Sequence, residues 1–275
     1  MQALQIRISN TDDNGNHLNR MQKLKAIIFD MDGTLADTED IHRQAFNAAF
    51  TEYKLPFDWA QTEYKQLLAI SGGRERLRQY LLMHVTSSGH TESLLDLANR
   101  LHKRKSEIYR QRLVDGHVSL RTGISRLIND AVSNGITLAI ATSSSTKNVE
   151  TLLKEALGDT ALDLFSTIVT CDIVDEKKPS PLVYLYALNK LGLDARNCIA
   201  FEDTRNGNLA AMSAGLTTVI TTHLFTTDDD FSGASLVIDQ LGDPGNPVRV
   251  ISGDTYGHEY VDIDLLEKIL TRLPT

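Results

Sequence analysis

A chain of 275 residues, 41% of them hydrophobic, is long enough for one large or two modest domains with a real core. Its formal net charge of -8 argues against nucleic acid or an anionic membrane surface as the main partner, though a small anion can still bind where cations gather locally. No apolar run approaches the roughly 18 residues of a membrane span, and residues 2–19 lack the apolar core of a signal segment.

Residues 1–22 carry Asn10, Asp12, Asp13, Asn14, Gly15 and Asn16, a turn-favouring cluster that buries little, and they read as a flexible tail. Residues 26–29, AIIF, form an unbroken apolar run that stops at Asp30, Asp32 and Gly33, the pattern of a strand buried on both faces that delivers carboxylates to a sheet edge. Two carboxylates so close repel unless a cation or a protonated partner holds them, which points to a metal or an acid/base role. Taken alone, Asp-x-Asp reads equally well as an ordinary Asp-rich turn. Thr38 is placed to cap a helix carrying Ile41, Ala45, Phe46, Ala48 and Ala49 at helical spacing. From there to about residue 112 nothing reads as a strand: LLAI before Gly72 and Gly73, then GRERLRQYLLMHV and ESLLDLANRLHKRKSEIYRQRLV, follow a helical period with charged outer faces. This is an inserted all-helical lobe.

Strand and helix then alternate. Ile124, Leu127, Ile128 and Ala131 line a helix, and residues 136–141 form a buried strand stopping at Thr142 and three serines. The same grammar places strands at residues 165–169, 198–201 and 216–220, with helices between them. A short strand at residues 236–238 and a helix over 262–273 close the chain, while residues 248–251 fit no element clearly. Such alternation implies a parallel sheet with right-handed crossovers and helices on both faces. Cys171 and Cys198 lie on separate apolar runs without metal-type spacing and read as reduced core residues of a cytoplasmic protein.

In a parallel sheet the carboxyl ends of the strands point one way, so Asp30 and Asp32, Thr142 and Ser143, Lys178, and Glu202 with Asp203 should converge on one pocket. Up to four acidic groups there would attract a hard divalent cation, and Mg2+ fits because it accepts a few carboxylates and fills its octahedron with water and phosphate oxygens. Glu202-Asp203 alone also reads as a helix cap. Thr142 and Ser143 precede a helix, where hydroxyls and free N–H groups hold phosphate, and Lys178 would add a cation, though serine-rich turns and surface lysines are common.

With Asp-x-Asp-Gly-Thr-Leu behind its apolar run, and the other motifs in order, residues 23–241 resemble the haloacid dehalogenase (HAD) superfamily. Within it, DTEDIHRQAFNAAF, SGGRERLRQYL, RTGISRLINDA, KKPSPLVYLYALNKLGL and FEDTRNGNLAA are similar to the CbbY-type sugar bisphosphatases of the subfamily with an alpha-helical cap. The resemblance implies a Rossmann-like three-layer α/β core over residues 23–37 and 113–275 with a helical cap over 38–112. It implies a Mg2+-dependent phosphatase acting on a small phosphorylated metabolite, a sugar phosphate or a bisphosphate of the xylulose-1,5-bisphosphate type. Asp30 would be the nucleophile and Asp32 the general acid/base, with Thr142 and Lys178 stabilising the transferring group. Asp30, Asp32 through its backbone carbonyl, Glu202 and Asp203 would hold the metal. Glu39, His42, Arg74 and Ser143 would meet the substrate, although the family histidine aligns one residue away from His42. No nucleic acid, membrane or obligate protein partner is expected. The alternative is a phosphosugar mutase, which returns the same aspartyl-phosphate to a sugar; a halide-releasing dehalogenase suits the second carboxylate and the acidic pair less well, and loss of catalysis less still.

Overall fold

Ala26–Phe29 forms the central strand β1, and all four residues are inaccessible to solvent. The computed structural model describes residues 23–85 and 93–271. The tail expected over residues 1–22 lies outside them, as do residues 86–92 and the last two residues of the expected closing helix. Beside β1 lie β2 (Thr137–Ala141) and β4 (Cys198–Glu202), both parallel to it. With β3 (Thr167–Val169), β5 (Thr217–Thr221), β6 (Leu236–Ile238) and β7 (Val250–Gly253) they make a seven-stranded sheet in the order β3-β2-β1-β4-β5-β6-β7. Only β7 runs antiparallel. It overlaps the second half of residues 248–251, the stretch that showed no clear pattern, because all four of its own residues are exposed and alternation therefore carries no burial signal.

Successive residues of a strand face opposite ways, and β1 uses both faces. Ile27 and Phe29 join a core with helices α5 (Ile124–Ser133), α6 (Thr146–Leu157) and α9 (Ile263–Thr271). Ala26 and Ile28 join a second core with α7 (Leu182–Leu191) and α8 (Arg205–Ser213). The expected α/β sandwich is thus present, and the chain reverses its strand order between β1 and β4, where open sheets of this kind form a crevice. The strand expected over residues 165–169 is shorter than expected: it starts at Thr167, after a 3-10 turn at Ala161–Leu164.

Between β1 and β2 run α1 (Glu39–Glu52), α2 (Gln61–Leu67), α3 (Gly73–His84) and α4 (Leu94–Arg112). The LLAI stretch is helical only at its start, since α2 stops at Leu67 and turns lead to α3. These helices enclose a third core rich in aromatic rings: Phe46 lies 4.7 Å from Trp59, and Trp59 lies 5.0 Å from Phe50 and 5.1 Å from Tyr80. No helix among the described residues is long and apolar enough to cross a membrane. Phe46→Ala removes a fully buried ring from the middle of the aromatic core. It is expected to cost about 3–5 kcal/mol in urea unfolding; a loss below about 1 kcal/mol would show that these rings do not form a tightly packed core.

Candidate active site

At the carboxyl edge of the sheet a cavity of about 1160 Å³ opens between the strand ends and the helical layer. Asp30, Asp32, Glu39, His42, Arg74, Thr142, Ser143, Lys178 and Asp203 all line it. Glu202 does not: it is fully buried behind Lys178. Lys178 stands just ahead of α7, several residues past the end of β3, so it arrives from a loop and not from a strand end.

The first cluster is acidic. Asp30, Glu202 and Asp203 each bring a carboxylate oxygen within 4.8 Å of the others. Lys178 Nζ donates to Asp30 Oδ1 at 2.6 Å, to Glu202 Oε1 at 2.5 Å and to the Ala141 carbonyl at 3.0 Å. Tyr184 donates its hydroxyl to the same Glu202 oxygen. Burial pushes the Asp30 carboxyl well above its usual range; Lys178 opposes this, and the Glu202 and Asp203 charges add to it. Burial would lower Lys178, but Asp30 and Glu202 outweigh it and raise the amine. Thr204, not Asp203, occupies the N-cap of α8, its hydroxyl accepting the Gly207 N–H, so Asp203 is not spent on capping. Two glycines make room. Gly33, at φ +85°, lies where an added Cβ would overlap the Asp203 carboxylate, and a Cβ on Gly207 would overlap that of Glu202.

Asp32 belongs to a second cluster on the side of the helical layer. Its Oδ1 accepts from Thr38 (2.7 Å), Tyr109 (3.0 Å) and His42 Nε2 (3.0 Å), and its Oδ2 accepts from Ser144. Burial works against the charged form, but His42, by charge and hydrogen bond, with the Ser144 and Thr38 hydroxyls, holds Asp32 well below the ordinary carboxylate range. Thr38 therefore does not cap α1 through its side chain, because its hydroxyl is committed to Asp32. His42 is buried and stacks on Tyr109, with ring centroids 3.8 Å apart. Its Nδ1 meets Lys105 Nζ at 2.6 Å.

Tyr109, Lys105 and Ser144 went unread in the sequence. Lys105 and Tyr109 sit in a charged run that looks solvated, yet Ala98, Leu101, Lys105 and Tyr109 fall on one helical stripe and all are buried. Elsewhere in the cavity, Glu39 accepts from Tyr64 at 3.0 Å, and Arg74, largely exposed, pairs with its neighbour Glu75 at 3.2 Å. Thr142 Oγ1 accepts the Ser144 N–H at 3.1 Å. Cys171 is not a core residue as expected; it is half-buried and lines the cavity, whereas Cys198 is buried. Burial first, then the charges of Lys105 and Arg74, pull His102 on the cavity wall down to about 3.

The sheet, covered by helices on both faces, gathers carboxylates and Lys178 at its switch point, and the chain belongs to the haloacid dehalogenase-like hydrolase family, which residues 27–221 match. It is an enzyme, and within the family it falls among the phosphatases. It is 43% identical to the plasmid CbbY protein of Cupriavidus necator, over 82% of this chain and 89% of the relative. CbbY of Rhodobacter sphaeroides, solved in complex with phosphate, superposes with a TM-score of 0.73 at 38% identity, over 79% of this chain and 94% of that one. A variant of the same protein, solved with xylulose-1,5-bisphosphate, matches at 37% identity and the same TM-score of 0.73, over the same 79% and 94%.

Lys105 supplies a stability test. Burial, against the pull of Asp32 and Glu39, lowers its amine from 10.5 to about 7. Between those values the unfolded chain binds a proton that the folded chain does not, so this group makes stability rise with pH from about 7 to 10.5 and contributes no slope below. Lys105→Met is expected to be more stable than wild type by about 1 kcal/mol or more at pH 7 and to lack that rise. Urea unfolding at pH 7 and pH 9.5 checks both; equal slopes in the two proteins would mean the buried amine is charged throughout.

Proposed function

We propose that the chain is a Mg2+-dependent phosphatase that hydrolyses a sugar phosphate, preferentially a bisphosphate of the xylulose-1,5-bisphosphate type, through an aspartyl-phosphate on Asp30. The observation that carries this reading is the placement of Asp30: its carboxylate opens onto the cavity with Lys178 against one oxygen and Asp203 and Glu202 grouped beside it. The CbbY complex with xylulose-1,5-bisphosphate supports the substrate class. Two free cysteines suit a reducing cytoplasm.

The acidic cluster fits a hard cation, since every donor is an oxygen and the Gly33 notch leaves the Asp203 carboxylate room. Asp30, Asp203 and the Asp32 backbone carbonyl would hold Mg2+, with Glu202 supporting from behind. When bound, the ion would offset the repulsion between carboxylate and phosphate and polarise the phosphoryl oxygens. The chain does the rest. An Asp30 oxygen attacks phosphorus, the bond to the sugar oxygen breaks, and Asp32 gives that oxygen a proton. Water then attacks phosphorus, Asp32 takes its proton, and Asp30 is released with free phosphate. Thr142, Ser143 and Lys178 bear the charge on the transferring oxygens. Clamped by Thr38, His42, Tyr109 and Ser144, Asp32 is ionised, the form needed to activate water. To donate, Asp32 must first take up a proton, from solvent or from the entering phosphate, as these groups let go on substrate entry; Lys105, against His42 Nδ1, is a positioning residue for Asp32 through His42.

The fold is shared with a β-phosphoglucomutase of Clostridium difficile at 25% identity and a TM-score of 0.65. A mutase would use Asp30 in the same way and return the phosphoryl group to a sugar. Product analysis with a sugar monophosphate separates the two, free phosphate favouring the phosphatase and an isomeric sugar phosphate the mutase.

Asp30→Asn is expected to lower phosphate release at least about a thousandfold while leaving the melting temperature within a few degrees. Retained turnover would remove the aspartyl-phosphate from the mechanism. For the cap, Arg74 lies in the first turn of α3 at the cavity wall and is held by a surface pair with Glu75, which is weak and easily exchanged for phosphate. A guanidinium grips phosphate bidentately and orients the distant reacting end. Arg74→Ala should reduce kcat/KM on the bisphosphate by about 2–4 kcal/mol in transition-state terms and barely change hydrolysis of a small artificial monoester. Equal losses on both substrates would assign Arg74 to general support of the cap.

A further inference from the structure

His223 is among the buried side chains that face the acidic cluster without a part in the mechanism above. The loop after β5 carries His223 to Asp203, with Nε2 2.8 Å from Asp203 Oδ2, and both side chains are almost wholly enclosed. The tautomer follows from the other nitrogen. Nδ1 accepts the Phe225 backbone N–H at 3.3 Å, so the ring hydrogen lies on Nε2 and is donated to the carboxylate. The turn itself is closed by Thr226, whose hydroxyl accepts the His223 N–H at 3.2 Å and whose own N–H donates to the His223 carbonyl at 2.9 Å. On the opposite side, the Thr34 hydroxyl donates to Asp203 Oδ1 at 3.2 Å. Both oxygens of Asp203 are therefore held, and the carboxylate has one orientation.

We propose that His223 is a positioning residue that pre-orients Asp203 to receive the divalent cation. The inference rests on the reading of Asp203 as a metal ligand. A lone carboxylate rotates about its last side-chain bond, and freezing that rotation is part of the cost of binding a cation. His223 and Thr34 meet this cost during folding. Each carboxylate oxygen has a second lone pair, so a donor on one leaves the other for a metal. A space-filling role would ask only for a ring of similar volume beside Gly33, where an added Cβ would also crowd His223 Nε2. A positioning role asks for an N–H at that point. Partners of this kind typically change metal affinity by about 10–100-fold when removed.

Calorimetric titration of Mg2+ into wild type, His223→Ala and His223→Gln tests the proposal, with turnover measured against Mg2+ concentration in parallel. Glutamine keeps an N–H donor at about the reach of Nε2. The alanine variant is expected to bind Mg2+ about 10–100-fold more weakly, to need correspondingly more Mg2+ for half-maximal turnover, and to approach wild-type kcat at saturation. The glutamine variant should recover most of the affinity. If wild type binds Mg2+ and the alanine variant binds it equally well, the positioning role is overturned and the metal reading stands. If wild type binds no Mg2+, the metal reading falls first. Should alanine fail to fold, His223→Asn, too short to reach Asp203, replaces it against glutamine, and equal affinities for those two overturn the proposal.

Discussion

Three carboxylates confined around a single lysine at the edge of a buried sheet set the terms for the rest of this structure. At separations of 4.8 Å or less, each like-charged pair among Asp30, Glu202 and Asp203 repels by about 3–4 kcal/mol or more at an effective dielectric near 20. Lys178 compensates only part of that, because it bonds Asp30 and Glu202 and leaves Asp203 to other donors. Thr34 and His223 take up that remainder. Such crowding needs an inflexible backbone. Arg121 supplies some of it, donating to the carbonyls of Gly33, Thr222 and Asp239 at 2.5, 2.6 and 2.7 Å, and so tying the loop after β1 to the ends of β5 and β6.

Two aspartates separated by one methionine end in opposite surroundings. Burial among acids raises Asp30, while His42 and hydroxyl donors overcome burial and lower Asp32. Neighbouring groups whose environments drive them apart are a recurrent basis for dividing chemical labour. The separation of their surroundings is topological. Asp30 is answered by the sheet, through Lys178 ahead of α7 and the acids ending β4, whereas Asp32 is answered mainly by the helices inserted between β1 and β2.

Much of this was legible in the sequence, since a parallel sheet turns distant strand ends into neighbours: Asp30, Thr142 and Asp203 could be brought together from periodicity alone. What stayed hidden depended on which way a helix faces. Lys105 and Tyr109 belong to HKRKSEIYRQR, where charge masks the buried stripe running through Leu101. His223 followed the same strand-end rule as the others, in TTVITTH, but a single histidine after β5 carries no pairing signal until Asp203 is seen beside it. Thr38 was misassigned for a local reason: threonine before a helix is normally spent on the helix, and here a carboxylate in the loop after β1 outcompetes the backbone for it.

The aromatic core enclosed by α1 to α4 has an evolutionary corollary. Phe46, Phe50, Trp59, Tyr64 and Tyr80 pack on one another, and Phe225, in the loop after β5, is the one residue of that cluster contributed from outside the helical insertion. Lys65, Gln66 and Arg74, which face the cavity from α2 and α3, lie outside that cluster and can drift without disturbing its packing.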